Sequence, residues 1–99
     1  MQTLSINYPA TRELTSNVHV GAVASGDLEI VMTPLAGGST STVAVRTSVD
    51  GFDTVWHEVL KRFFGRTALA GHWELNDFGA TPGVVNLRLR QAAEAATAS

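Results

Sequence analysis

The sequence has 99 residues, a net charge of −2 at neutral pH, and 44% hydrophobic and 16% charged residues. This length predicts one domain over residues 1–99, with the composition of a globular protein. Its few basic residues are scattered, so we expect no nucleic-acid partner. No apolar stretch is long enough to span a membrane and no secretory signal is recognisable, which favours a cytoplasmic protein. Since the chain contains no cysteine, disulfides, thiolate chemistry and Cys-ligated metals are excluded.

The first half of the chain alternates apolar and polar residues with the period of two that is typical of strands. Residues 3–8 form the first predicted strand. Residues 17–32 are interpreted as a hairpin whose strands are joined by a two-residue turn of Ser25 and Gly26, because glycine accepts the positive φ that such turns need. Residues 40–47 are rich in β-branched side chains and predict a further strand.

The clearest helical pattern follows this strand. Asp50 is the predicted N-cap and Gly65 the predicted C-terminal stop. The apolar side chains are too many to leave in water, so this face is expected to lie on the sheet. They recur at the three-and-four spacing of one helical face: Phe52, Val55, Trp56, Val59, Leu60, Phe63 and Phe64.

The last third of the chain alternates again over residues 70–77 and 85–90, which predicts a second hairpin. Alanine-rich residues from Gln91 onward favour a short helix. A helix over residues 84–96 is the alternative, because short apolar runs fit both periods. The predicted fold class is α+β: a mostly antiparallel β-sheet with one long amphipathic helix packed on a face and a short C-terminal helix.

Several candidate chemistries are excluded by context. The three histidines lack the spacing of a metal site. Asp27 and Glu29 would share an exposed side of the hairpin, where carboxylates face solvent. Ser25 lacks the glycine-flanked elbow of serine hydrolases, and His19 lies too far along its strand to act as a base. We therefore expect no catalytic residue and no metal, and Ser25 is better placed as an acceptor of modification by another protein.

Three segments carry a resemblance to a known family. Val23-Ala-Ser-Gly-Asp-Leu-Glu-Ile30 surrounds the predicted turn, Thr47-Ser-Val-Asp50 begins at the end of the predicted strand over residues 40–47, and Asp77-Phe-Gly-Ala-Thr-Pro-Gly83 precedes the C-terminal segment. In this order and spacing they resemble the acyl carrier (delta) subunit of malonate decarboxylase. The resemblance covers nearly the whole chain, so residues 1–99 would be a single acyl carrier domain.

The resemblance implies a prosthetic group, phosphoribosyl-dephospho-CoA, joined to Ser25 through a phosphodiester, with Gly26 and Asp27 as its turn context. In that family the thiol of the group carries acetyl and malonyl thioesters, and the carrier itself is not an enzyme. The implied partners are the acyl transferase and decarboxylase subunits and the transferase that attaches the group, a holo-carrier synthase. Because no arginine or lysine lies near Ser25 in the sequence, we expect the arm to stay free of its own hairpin.

Two alternatives remain at this point. The acyl carrier subunit of citrate lyase bears a related arm, but its serine context lacks the Ser-Gly-Asp order of residues 25–27. A small structural or interaction subunit without a prosthetic group would use the same sheet and helix to bridge partners.

Overall fold

The computed structural model describes residues 2–13, 16–34, 39–48, 53–67 and 69–97. These residues form strands and two helices of an α+β fold. In chain order the elements are β1 (Gln2–Pro9), β2 (Arg12–Glu13), β3 (Val18–Val20), β4 (Leu28–Thr33), β5 (Thr40–Thr47), α1 (Asp53–Arg66), β6 (Leu69–Asp77) and α2 (Pro82–Thr97).

Five strands lie in the order β1-β5-β6-β4-β3, and the short β2 runs parallel to the start of β6. All neighbours among the five are antiparallel except β5 and β6, which are parallel. A parallel pair needs a crossover connection, and α1 supplies it. The mostly antiparallel sheet was predicted, and so were the strands over residues 3–8, 40–47 and 70–77.

One face of the sheet is buried beneath both helices. The register places Val45 and Ile30 on either side of Leu75, and all three are fully buried. From α1 the rings of Phe63 and Phe64 meet Trp73 at centroid distances of 5.6 Å and 4.8 Å, both edge-on. The buried hydrophobic residues that α2 adds to this core are Val85, Leu89 and Ala92.

The opposite face of the sheet is polar. His19 Nε2 lies 3.0 Å from Glu29 Oε2, and Asn76 donates a 3.0 Å hydrogen bond to the other oxygen of Glu29. Arg46 pairs with Glu74 at 3.4 Å. Among the described residues, His19 and Glu29 are therefore occupied with each other and their strand neighbours.

The predicted second hairpin is wrong, because the C-terminal segment is a helix. α2 begins at Pro82, directly after Thr81, whose hydroxyl accepts a hydrogen bond from the Val84 N–H as an N-cap. The exposure of Leu87 shows that the periodicity is helical. A strand would bury Leu87 together with Val85 and Leu89, whereas Leu87 is 43% exposed.

The helix lengths also differ from the prediction. α1 has 14 residues and α2 has 16, so the arrangement of one long helix and one short C-terminal helix is not observed. Gly65 is not a helix stop, because α1 continues to Arg66 and Gly65 is not among the residues with positive φ. The predicted cap Asp50 and the apolar Phe52 lie outside the described residues.

Candidate functional site

Ser25 lies in a turn within the loop between β3 and β4. The Asp27 N–H donates a 3.0 Å hydrogen bond to the Ala24 carbonyl oxygen, and Gly26 has a φ of 81°. A positive φ at the third residue of a turn is typical of type II, in which glycine is favoured. The predicted turn at Ser25 and Gly26 is thus present, and Ser25 is exposed.

The strand before the turn is shorter than predicted. β3 ends at Val20, so residues 21–27 form the connection rather than a two-residue hairpin turn. Ala22 and Ala24 are exposed instead of alternating on a buried strand face. The chain leaves the sheet at Gly21, whose φ of 78° is incompatible with a strand.

Gly21 also packs too closely for a side chain. A Cβ at this position would collide with the carbonyl oxygen of Leu28. We expect Gly21→Ala to lower the free energy of unfolding by more than about 1 kcal/mol, because both strain and collision act. Gly26→Ala is the control, since Gly26 has a similar φ of 81° but open space around it. Urea unfolding measures both variants, and equal losses would contradict the close approach.

The Ser25 side chain points away from the core of the described structure. Within the described part of the chain, no residue hydrogen-bonds to its hydroxyl, and Ser25 is exposed. His19, the nearest histidine before Ser25 in sequence, is held against Glu29 on the polar sheet face. That Ser25 does not activate itself, and is modified by another protein, stays a prediction.

The serine turn is fastened to the segment between β6 and α2. The Gly26 N–H donates a 2.7 Å hydrogen bond to the Phe78 carbonyl oxygen, and the Phe78 N–H donates one of 2.9 Å to the Asp27 carbonyl oxygen. The buried Asp77 carboxylate accepts hydrogen bonds from the N–H groups of Gly79 and Ala80 and from the Thr47 hydroxyl. Residues 77–79 thus support the serine turn through hydrogen bonds of the Phe78 backbone.

Asp27 faces an arginine rather than open solvent. Arg88 of α2 donates from Nε to Oδ1 at 2.8 Å and from Nη2 to Oδ2 at 2.9 Å, a bidentate pair. The N–H groups of Ala22 and Leu28 donate to the same carboxylate. The predicted side-by-side exposure of Asp27 and Glu29 is therefore wrong, since each carboxylate has its own partners.

These contacts favour the ionised form of Asp27. Its pKa lies below the ordinary value of 3.8, because the Arg88 side chain and then the Leu28 N–H hydrogen-bond to the carboxylate. A lowered folded-state pKa means that Asp27 stabilises the fold above pH 3.8 and that this contribution is lost as the pH falls through the folded-state pKa.

We expect Arg88→Met to raise the pKa of Asp27 toward 3.8, because the first cause of its lowering is removed. The measurement is an NMR titration of the Asp27 carboxyl carbon. Arg90→Met is the control, since Arg90 is exposed on the same helix and is not among the groups that lower the pKa of Asp27. An unchanged Asp27 titration in Arg88→Met would contradict the role of this ion pair.

An apolar groove opens at the same end of the sheet as the serine turn. β4 begins at Leu28 opposite Asp77, where β6 ends, and both helices begin beyond the ends of β5 and β6. The groove has a volume of about 290 Å³ and lies between the first turns of α1 and α2. It is lined by Val55, Trp56, Val59, Asp77, Gly79, Ala80, Pro82 and Val85.

Arg88 and the groove are the two features that sequence reasoning missed. Arg88 lies 61 residues from Asp27 in the chain, and no local pattern joins them. The groove depends on α2 being a helix. Thr81 followed by Pro82 was a usable signal, because Thr is a good N-cap and Pro is favoured at the first helical position.

Over the described residues, no three His, Cys, Asp or Glu side chains are grouped so that they could hold a metal ion. Within the same ranges, neither α1 nor α2 is long and apolar enough to cross a membrane.

Comparison with known proteins gives consistent matches. A family model described as malonate decarboxylase delta subunit (MdcD) matches residues 15–96. The malonate decarboxylase acyl carrier protein of Pseudomonas aeruginosa LESB58 is 45% identical over 97 residues, 97% of each chain. That of Pseudomonas fluorescens SBW25 is 44% identical over 95 residues, 95% of each chain.

The fold is similar to a solved structure as well. A chain in the crystal structure of a Pseudomonas malonate decarboxylase hetero-tetramer in complex with malonate superimposes with a TM-score of 0.87 and 42% identity, covering 96% of this chain and 98% of that one. Of the two carrier families considered from the sequence, these matches are to that of malonate decarboxylase. The chain therefore belongs to the acyl carrier (delta) subunit family of malonate decarboxylase.

Proposed function

We propose that the chain, a single domain over residues 1–99, is a non-catalytic cytoplasmic carrier whose Ser25 bears phosphoribosyl-dephospho-CoA through a phosphodiester. When bound, the group supplies a terminal thiol for acetyl and malonyl cargo. The observation that carries the proposal is the exposed Ser25 hydroxyl, without a described hydrogen-bond partner, on a turn that the backbone holds in place.

The surroundings of Ser25 fit a negatively charged attachment. A phosphodiester close to an unpaired carboxylate would be repelled, but both oxygens of Asp27 are engaged by Arg88. Arg88 has five N–H donors, and three of its nitrogens already make one hydrogen bond each to Asp27 or Gln91, so two N–H groups are left to donate. Gly26 and Asp27 therefore serve as turn context, in which Asp27 orients the arginine and Gly26 shapes the bend.

Attachment requires help from a second protein. Ser25 Oγ forms a bond to a phosphorus atom of the molecule that donates the prosthetic group. The bond between that phosphorus and the leaving phosphate breaks, and the hydroxyl proton of Ser25 passes to a base. No described residue of the chain offers that base at Ser25, which supports a holo-carrier synthase as partner.

The carrier acts by tethering. A covalently held acyl group is presented to an acyl transferase subunit and to decarboxylase subunits at a high effective concentration, without chemistry by the carrier. The crystal structure of the Pseudomonas hetero-tetramer supports an assembly of this kind.

The absence of cysteine from the sequence provides a direct test. We expect the chain expressed alone to have no titratable thiol, and the chain co-expressed with its biosynthetic partners to have one thiol per molecule. No thiol in material from the full co-expression would refute the attachment and favour an interaction subunit without a prosthetic group.

A further inference from the structure

We propose that the apolar groove between α1 and α2 binds the acetylated end of the chain's own prosthetic arm and excludes the malonylated end. This inference rests on the proposed function, since it needs an arm on Ser25. Its ligand class is a short, uncharged acyl thioester. The carrier would then hold one cargo against its own surface and present the other to its partners.

The groove lies close to the Ser25 turn in the fold. The Gly26 N–H bonds the Phe78 carbonyl oxygen at 2.7 Å, and the residues on both sides of Phe78, Asp77 and Gly79, line the groove. Consecutive Cα atoms are about 3.8 Å apart, so only a few such steps separate the Ser25 backbone from the rim of the groove. A nucleotide followed by a pantetheine chain is long enough to cover that separation and fold back.

The mouth of the groove has exposed apolar surface. Val55 is 48% exposed although it lies on the apolar face of α1, while Trp56 and Val85 are buried. Val59 and Ala80 are half-buried and pack against the core. Leaving these side chains in water costs free energy that a small apolar ligand would recover.

The charge of the groove lining favours an acetyl group over a malonyl group. A malonyl group differs from an acetyl group by one carboxylate, and a buried carboxylate needs a cation or several donors. Among the described residues that line the groove, none is basic, and the one charged residue is the acidic Asp77. The arginines between the helices, Arg62, Arg66 and Arg90, line a second groove farther along α1 and α2, which meets the apolar groove at Val59.

Asp77 cannot serve as a partner for a second carboxylate. Its Oδ1 accepts the N–H groups of Gly79 and Ala80, and its Oδ2 accepts the Thr47 hydroxyl. A malonyl carboxylate beside it would be a like charge in an apolar site, which is unfavourable. Burial of the acetyl methyl group, by contrast, would raise the docked population of the arm about fourfold.

Docking in the groove differs from the expectation of an arm that stays free of its own hairpin, which remains a prediction. That expectation rested on a lack of nearby cations, and the structure brings Arg88 beside the serine turn. The arm would be docked when acetylated and free when malonylated.

The test is methyl NMR of the arm-bearing carrier in three forms. In the unmodified form the thiol of the arm is free, and in the other two it is acetylated or malonylated. The mass of each form is measured first. Because the chain has no cysteine, thiol-directed acylation modifies the arm alone. We expect the methyl signals of Val55, Val59 and Ala80 to shift on acetylation and to return toward the unmodified positions on malonylation. Val31, on the polar sheet face, is the internal reference and should not move.

Matched variants separate docking from general effects on the helices. Val55→Glu puts a carboxylate at the groove mouth and should lower the docked fraction of the acetylated arm by about tenfold or more. Leu87→Glu is the control: Leu87 is 43% exposed on α2 and lines neither groove, so docking should persist. Exposed positions on helices tolerate Glu, so both variants are expected to fold.

The outcomes distinguish the inference from the function on which it rests. If the mass of the arm is present but the groove signals do not move on acetylation, the inference is overturned and the carrier function stands. This holds whether or not a partner subunit covers the groove in the complex. Equal shifts for acetyl and malonyl forms would overturn the discrimination. Absence of the arm's mass would overturn both proposals.

Discussion

Ser25→Ala should reduce malonate decarboxylation by the reassembled complex to background, a loss of at least about 10²-fold. The physical reason is that alanine has no hydroxyl to form the phosphodiester, so no acyl group is tethered between the transferase and decarboxylase sites. The fold should be unaffected, because Ser25 is exposed and its hydroxyl bonds no described residue. The measurement is the rate of carbon dioxide release with the variant carrier and wild-type partners.

Ser16→Ala is the matched control for this experiment. Ser16 is also exposed and lies outside the strands, before β3, but it is not fastened to the Phe78 segment. Its variant should retain full activity and the single thiol. A Ser25→Ala carrier that supports wild-type turnover would show that the anchor is elsewhere or that no tether is needed.

Trp73→Ala should cause the largest loss of stability, about 3–5 kcal/mol. Trp73 is fully buried at the centre of β6, and its ring meets Phe63 and Phe64 edge-on. Its Nε1 also donates a 3.3 Å hydrogen bond to the Leu69 carbonyl oxygen. Truncation would leave a cavity between α1 and the sheet, since the neighbouring rings cannot fill the space.

Urea unfolding followed by far-UV circular dichroism measures this loss without relying on tryptophan fluorescence. Leu87→Ala is the control, because an exposed side chain of α2 should change the free energy of unfolding by no more than about 0.5 kcal/mol. If Trp73→Ala unfolds at the same urea concentration as the wild type, the core is not organised around this ring.

The elements that were predicted well from the sequence are those whose apolar residues fit only one periodicity, that of a strand or that of a helix. Strand β5 alternates Val43 and Val45 with polar or small residues, and α1 repeats Trp56, Leu60 and Phe63 at helical spacing. In each, the buried face of the structure is the face that the pattern indicates, except that Val55 of α1 is 48% exposed. A single reading of the pattern thus sufficed for these elements.

The segment that became α2 could not be assigned with the same certainty. Val85 and Leu89 fit a strand with Leu87 between them, and they also fit a helix with Ala92. Tertiary packing decides between the two, since α2 covers β3 and β4 rather than pairing with β6. The local signal that favours the helix is the cap at Thr81, not the apolar pattern.

In the candidate site, too, local features were predicted from the sequence and long-range contacts were not. The turn at Ser25 and Gly26 is local, so its glycine and serine were sufficient to predict it. The ion pair of Asp27 with Arg88 depends on a contact across 61 positions, which no short-range pattern encodes. The departure of the chain from β3 at Gly21 reflects a close approach to Leu28 that only the folded chain shows.

The central claim is that Ser25 anchors the prosthetic arm while catalysis takes place in other subunits. Its most direct test is peptide mapping by mass spectrometry of the carrier purified from its native host. We expect the peptide that contains Ser25 to carry the mass of phosphoribosyl-dephospho-CoA and the other serine peptides to be unmodified. An unmodified Ser25 peptide in protein from cells that are decarboxylating malonate would contradict the claim.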